Sequence, residues 1–220
     1  MSSIGKSIEA ALEHIVVYPS SKSETYPTIV ALHGRGANGS DLLPLVESVS
    51  GKDTMVVAPQ APFPFQFGGG FAWYEMGRNW TPHPSTFDKS LGLLRNFLVQ
   101  VKAGYPVDPT KLVLLGFSQG TVMCYATGLL EPSSVRGIAA LSGYIPLRSS
   151  LPLTLDGLKG LEVFISHGTY DEVIPTKFGH EASELLRNAG ATVSYHEYLM
   201  GHEVNEETII DLARWFKKLW

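Results

Sequence analysis

The stretch Leu112–Leu130, LVLLGFSQGTVMCYATGLL, constrains this chain more than any other. It opens as an unbroken apolar run, Leu112 to Leu115, with the look of a strand buried on both faces. It closes as Thr121 to Ala126, which reads as a buried helix. Between them stand Ser118 and Gln119, with Gly116 and Gly120 on either side of the turn. A strand that reverses this sharply into a helix holds its central residue in strained backbone geometry. A Cβ at either flanking glycine would collide with the neighbouring element. The spacing therefore predicts a serine hydroxyl projecting from the carboxyl edge of a sheet, the edge where open α/β sheets bind ligands.

The rest of the chain has the matching rhythm. Apolar runs beginning at His14, Thr28, Thr54, Leu112, Val135, Leu161 and Thr192 read as strands, several apolar at consecutive positions as in a central parallel sheet. Between them, Phe87, Leu91, Leu94, Leu98 and Val101 fall on one helical face. Pro175 is placed to open a helix that Asn188-Ala189-Gly190 closes, with Phe178, Ala182, Leu185 and Leu186 inward. A last helix is expected from about Asn205, burying Ile209, Leu212, Ala213 and Phe216. Strand-helix-strand order implies one α/β domain over residues 1–220, with helices on both faces of a mostly parallel sheet.

One region departs from this pattern. Residues 59–84, PQAPFPFQFGGGFAWYEMGRNWTPHP, are too rich in Pro and Gly for a regular element. They carry Phe63, Phe65, Phe67, Phe71, Trp73, Tyr74 and Trp80, and are too aromatic to be disordered. These rings either flank an apolar pocket or cover the core. Phe71, Trp73 and, after the strand from Val135, Ile145 are the candidate pocket residues, although Trp73 and Tyr74 also suit a structural role.

Composition narrows the function classes. The chain is 44% hydrophobic and 17% charged, with a formal net charge of −4 and no basic stripe, so no nucleic-acid partner is expected. No run of eighteen apolar residues suggests a membrane span, and the N-terminus has no apolar core of a secretory signal. Cys124 is the sole cysteine; it reads as a small buried hydrophobe in a chain expected in a reducing, cytoplasmic compartment.

A serine hydroxyl becomes a nucleophile when a base takes its proton and a third group orients the base. Of the histidines after Ser118, His180 falls inside a helix and His196 in mid-strand. His202 follows a strand directly, in the loop Met200-Gly201-His202-Glu203, and is the candidate base. Asp171 and Glu172 both follow the strand LEVFIS; the shorter Asp171 suits the buried orienting role and Glu172 a solvated charge. The backbone N–H of Gln119, first in its helix, is one candidate oxyanion donor. The N–H of Arg35, in the glycine-rich loop His33-Gly34-Arg35-Gly36, is the other. The Arg35 guanidinium is open to two readings, a substrate carboxylate or a structural ion pair. His33 and His167 read as structural hydrogen-bonders, and the seven histidines lack zinc spacing.

Seven motifs, LHGRGAN, APQAP, WYEM, GFSQG, ALSGYIP, HGTYDEVIP and MGHEV, span nearly the whole chain in order. Together they resemble the phospholipase/carboxylesterase family of α/β-hydrolases, which includes small bacterial carboxylesterases and acyl-protein thioesterases. The resemblance implies the α/β-hydrolase fold without a large cap domain, Ser118, Asp171 and His202 as catalytic triad, and Gln119 and Arg35 as oxyanion donors. It further implies hydrolysis of small-molecule carboxylic or thio esters with no cofactor and no metal. Thioesterase-like members generally carry an apolar residue where Arg35 stands, which favours small esters over acyl-protein or lysophospholipid substrates. Relatives form homodimers in some cases, and the aromatic patch could serve such an interface. A non-catalytic ligand-binding member of the fold is the alternative from another class.

Overall fold

The computed structural model describes all residues except Met1, Ser2, Phe67, Ser150 and Thr154. Phe67, one of the loop aromatics, thus lies outside the described residues. The elements run β1 (Ser3–Ile4), β2 (His14–Tyr18), β3 (Tyr26–Leu32), α1 (Leu43–Val49), β4 (Met55–Pro59), β5 (Phe63–Pro64) and β6 (Phe71–Ala72). They continue as α2 (Pro84–Gly104), β7 (Val107–Phe117), α3 (Gln119–Leu130), β8 (Gly137–Leu141), β9 (Glu162–Gly168), α4 (Lys177–Asn188), β10 (Thr192–Tyr198) and α5 (Glu206–Leu219).

Eight strands form the main sheet in the order β1-β2-β4-β3-β7-β8-β9-β10. β1–β2 and β2–β4 are antiparallel, and every pair from β4 to β10 is parallel. This is the mostly parallel α/β-hydrolase sheet, and no large cap domain stands over its carboxyl edge. Side chains along the central strands alternate between two cores, as the pleat requires. Val30, Leu32, Leu112 and Leu114 face the cluster built with α2, α3 and α4. Ile29, Ala31, Val113 and Leu115 face the one built with α1 and α5. Because both faces are covered, these strands read as continuous apolar runs in the sequence.

Chain order places the site. From β3 the chain returns to β4 on one side, and from β7 it proceeds to β8 on the other. The connections therefore diverge between β3 and β7, and the crevice at their carboxyl ends is the switch point where such sheets bind ligands. Leu32 pairs with Gly116 there, so the loop after β3 and the turn after β7 emerge side by side.

Three elements were not anticipated. Helix α1, with a proline in its first turn, is seven residues long. The aromatic loop contains the two-residue pair β5–β6, Phe63 opposite Ala72 and Pro64 opposite Phe71. Ser3–Ile4 extends the sheet by pairing with Val17 and Tyr18 of β2.

Candidate active site

Ser118 sits between β7 and α3 with φ 55° and ψ −118°, a left-handed conformation that costs a non-glycine residue about 1–3 kcal/mol. Its N–H donates to Leu141 O at 3.0 Å, tying the turn to β8. The flanking glycines are steric necessities. A Cβ on Gly120 would lie 1.9 Å from Leu32 O, and one on Gly116 would lie 2.5 Å from the Gly120 carbonyl carbon. Both obstacles are backbone, which cannot swing aside as a side chain can.

His202, on the loop after β10, places Nε2 2.9 Å from Ser118 Oγ. Its Nδ1 lies 2.7 Å from Asp171 Oδ2. A carboxylate can only accept, so Nδ1 carries the proton and the Nε2 lone pair faces the serine hydroxyl. Phe117 packs on the imidazole with ring centroids 4.9 Å apart. Asp171, only 7% exposed, accepts through Oδ1 from the N–H groups of Val173 at 2.9 Å and Ile174 at 2.8 Å. Its two oxygens thus divide the work, one fixed by its own loop and one presented to His202. The structure brings Ser118, His202 and Asp171 into a single hydrogen-bonded line. Glu172 is exposed. His180 pairs with Glu197 at 2.6 Å, and His196 meets Ser194 Oγ at 2.8 Å.

Both His-Gly histidines are buried hydrogen-bonders. His33 Nδ1 donates to Gly34 O at 2.7 Å, while Nε2 accepts the Ala61 N–H at 3.1 Å. His167 Nε2 donates to Ile174 O at 2.7 Å and lies 3.4 Å from Asp171 Oδ2. Its Nδ1 has no hydrogen-bond partner among the described residues. Burial lowers the pKa of both imidazoles and favours their neutral forms.

The N–H of Gln119, first residue of α3, is among those an α-helix leaves without a carbonyl of its own. Its side chain is buried: Oε1 accepts the Trp73 N–H at 3.0 Å and Nε2 donates to Tyr74 O at 2.9 Å. On the neighbouring loop, Gly36 N donates to Phe71 O and Phe71 N to Ala37 O, each at 2.8 Å. The Arg35 N–H meets no acceptor among the described residues. Its guanidinium is exposed and lies 5.4 Å from the centroid of the Phe65 ring. No carboxylate lies within ion-pair distance of it among the described residues, so the structural ion pair considered from the sequence is not formed.

Beside Ser118 opens a cleft of about 340 Å³, with Arg35, Tyr74, Met76, Trp80, Tyr144 and Val173 among its walls. Phe71, Trp73 and Ile145 do not line it. Trp73 is fully buried, its indole N–H donating to His33 O at 2.9 Å, and it clamps the two loops from beneath. Phe71 acts through its backbone bonds to the Arg35 loop, while its ring packs against the core. Ile145 is buried beside a separate cavity of about 60 Å³ that also touches Trp80 and Tyr144.

Trp80 stands out in the sequence as one loop aromatic among several; Met76, Tyr144 and Val173 lie within the motifs WYEM, ALSGYIP and HGTYDEVIP, but nothing there marks them as cleft walls, and Asn79 carries no signal. Asn79 and Trp80 both have positive φ, 53° and 56°. The Trp80 indole N–H donates to Val173 O at 3.2 Å, joining the aromatic loop to the loop that carries Asp171. Tyr144 and Tyr74 share a hydrogen bond at 3.3 Å. Burial pushes the Tyr144 hydroxyl up to about 12, so it stays neutral at ordinary pH. Among the described residues no group of three His, Cys, Asp or Glu side chains is placed to hold a metal ion.

Comparison with known proteins agrees with this architecture. The acyl-protein thioesterase 1 of Candida albicans is 28% identical, the match covering 91% of this chain and 95% of that protein. The protein of that name from Debaryomyces hansenii is 30% identical, with 83% and 87% covered. The crystal structure of a Bacillus cereus carboxylesterase superposes with a TM-score of 0.84 at 24% identity, covering 95% of each chain, which speaks for the fold. The family model described as phospholipase/carboxylesterase matches residues 12–220. The chain belongs to the phospholipase/carboxylesterase family.

Proposed function

We propose that this chain is a serine carboxylesterase that hydrolyses short- to medium-chain carboxylic esters through an acyl-enzyme. The observation that carries the reading is the line from Asp171 through His202 to Ser118 Oγ at the mouth of a cleft. In the first half-reaction the Ser118 oxygen attacks the ester carbonyl as His202 Nε2 takes its proton. The imidazolium that forms is stabilised by Asp171, which stays ionised. The backbone N–H groups of Gln119 and Arg35 stabilise the oxyanion, the largest electrostatic contribution in acyl transfer. His202 then protonates the leaving alcohol and afterwards activates a water that releases the acid.

The cleft bears on substrate size. At about 340 Å³ it lies near the bottom of the range for small-ligand pockets, about 300–1,000 Å³. The Trp80 ring, hydrogen-bonded to Val173 O and packed 5.4 Å from the Phe178 ring, stands between it and the small cavity beyond. A wall formed by this ring suits short acyl groups. The second reading, an acyl-protein thioesterase or lysophospholipase, is favoured by the names of the fungal relatives. No described helix is long and apolar enough to cross a membrane, and the buried thiol of Cys124 suits the reducing cytoplasm.

A series of p-nitrophenyl esters from C2 to C16, with an acyl thioester alongside, tests the choice. The proposal predicts a kcat/KM optimum between C2 and C6, moving to longer chains in Trp80→Ala. An optimum at C12 or beyond in the unmodified protein favours the second reading. Ligand binding without turnover of any activated ester would make the chain a non-catalytic relative.

A further inference from the structure

Arg35 and Arg78 stand apart from the other arginines of this chain, because neither guanidinium makes a hydrogen bond or ion pair with another described residue. Of the two, Arg35 lines the cleft beside Ser118 and Arg78 does not. Arg95, Arg136 and Arg214 form ion pairs with Glu131, Glu162 and Asp211. Arg148 and Arg187 donate to the carbonyls of Asn79 and Val193. The Arg35 guanidinium makes no hydrogen bond to another described residue; the contact it does make is with the face of Phe65. That contact holds the planar group from one side, as cation–π pairs do, and its five N–H donors have no acceptor among the described residues.

Its place gives this a chemical meaning. Arg35 lines the cleft beside Ser118, and the other lining residues, from Tyr74 through Ile174, are uncharged. Its positive charge reaches the cleft wall, where it opposes the rise that burial imposes on the Tyr74 hydroxyl. The backbone of the same residue belongs to the loop beside the Ser118 turn. A group bound by the side chain is therefore held within one arginine's reach of the reacting carbonyl. A fork of parallel donors matches a planar two-oxygen anion better than it matches a lone carbonyl.

We propose that the Arg35 guanidinium binds a carboxylate on the substrate, so that the preferred esters are monoesters of dicarboxylic acids. This rests on the ester-hydrolase reading of the cleft and adds the substrate class. Bond cleavage is unchanged: water adds across the acyl–oxygen bond, and the remote carboxylate is neither made nor broken.

The test compares the mono-p-nitrophenyl ester of adipic acid with p-nitrophenyl hexanoate, which has the same six-carbon acyl group and no charge. What is read is the ratio of their kcat/KM values within each variant, so a general loss of activity at position 35 cancels. The unmodified protein should favour the anionic ester. Arg35→Gln should lower the ratio by about tenfold, the scale of a charge-assisted hydrogen-bonded pair. Arg35→Glu should drive it lower still, and Arg35→Lys should keep part of it. The preference should also shrink between 50 mM and 500 mM salt, because an exposed charge is screened. Turnover of both esters with a ratio that stays within twofold across these variants overturns the carboxylate site alone. No turnover of either ester by the unmodified protein overturns the hydrolase reading together with it.

Discussion

Ser118 shows how much one residue can be made to tolerate. Its backbone is held at positive φ by the N–H bond to Leu141 O and by two glycines whose missing side chains let β3, β7 and α3 approach. The buried histidines make a different demand. His33 and His167 are essentially without solvent exposure, and burial holds their pKa values below the ordinary 6.5. In the unfolded chain both return to about 6.5 and take up protons that the folded chain refuses. Between the lowered folded value and 6.5 the unfolded state binds more protons, so stability rises with pH and is lost as pH falls below about 6.5. Urea unfolding should therefore show a lower stability at pH 5.5 than at pH 7.5. In His33→Gln that pH dependence should be less steep. A variant with an unchanged slope would mean that His33 does not titrate on unfolding.

At the scale of elements, the turn is held by a hydroxyl on the helix that follows it. Thr121 Oγ1, fully buried on α3, accepts the Leu141 N–H at 3.0 Å. It also lies 2.6 Å from Gly116 O and 2.7 Å from Leu141 O, either of which its one proton can serve. Valine matches the shape and removes the hydroxyl, leaving buried polar groups without that partner. Thr121→Val should therefore lower unfolding stability by about 1–3 kcal/mol with an unchanged denaturant slope, read from urea titration. A loss below a few tenths would show that the three groups find other partners. This clamp left no mark in the sequence, because a threonine inside an apolar helix reads as packing. The parallel strands were legible for the opposite reason, since burial on both faces leaves consecutive apolar residues. Ser118 and Asp171 could be located because each lies just past such a strand, and His202 because it lies just past the edge strand β10. The cleft walls could not, because Asn79 and Trp80 turn into place through left-handed backbone that neither residue type announces. Trp73 shows the reverse: an aromatic beside the motif that spends its N–H on His33 O beneath the site.

For the molecule as a whole, the sheet gathers distant parts of the chain at one crevice. The loop after β3, the turn after β7, and the loops after β9 and β10 all leave the same edge. They deliver residues 35, 118, 171 and 202 from a span of more than 160 positions, and helices pack on both faces of the sheet behind that edge. The central claim is that Ser118 is the group this scaffold activates. Its most direct test is to treat the protein with a fluorophosphonate probe, locate the adduct by peptide mass mapping, and follow ester hydrolysis in parallel. The account predicts one equivalent of label on Ser118, with labelling and hydrolysis both abolished in Ser118→Ala. Label on another residue, or hydrolysis that persists in Ser118→Ala, would contradict it.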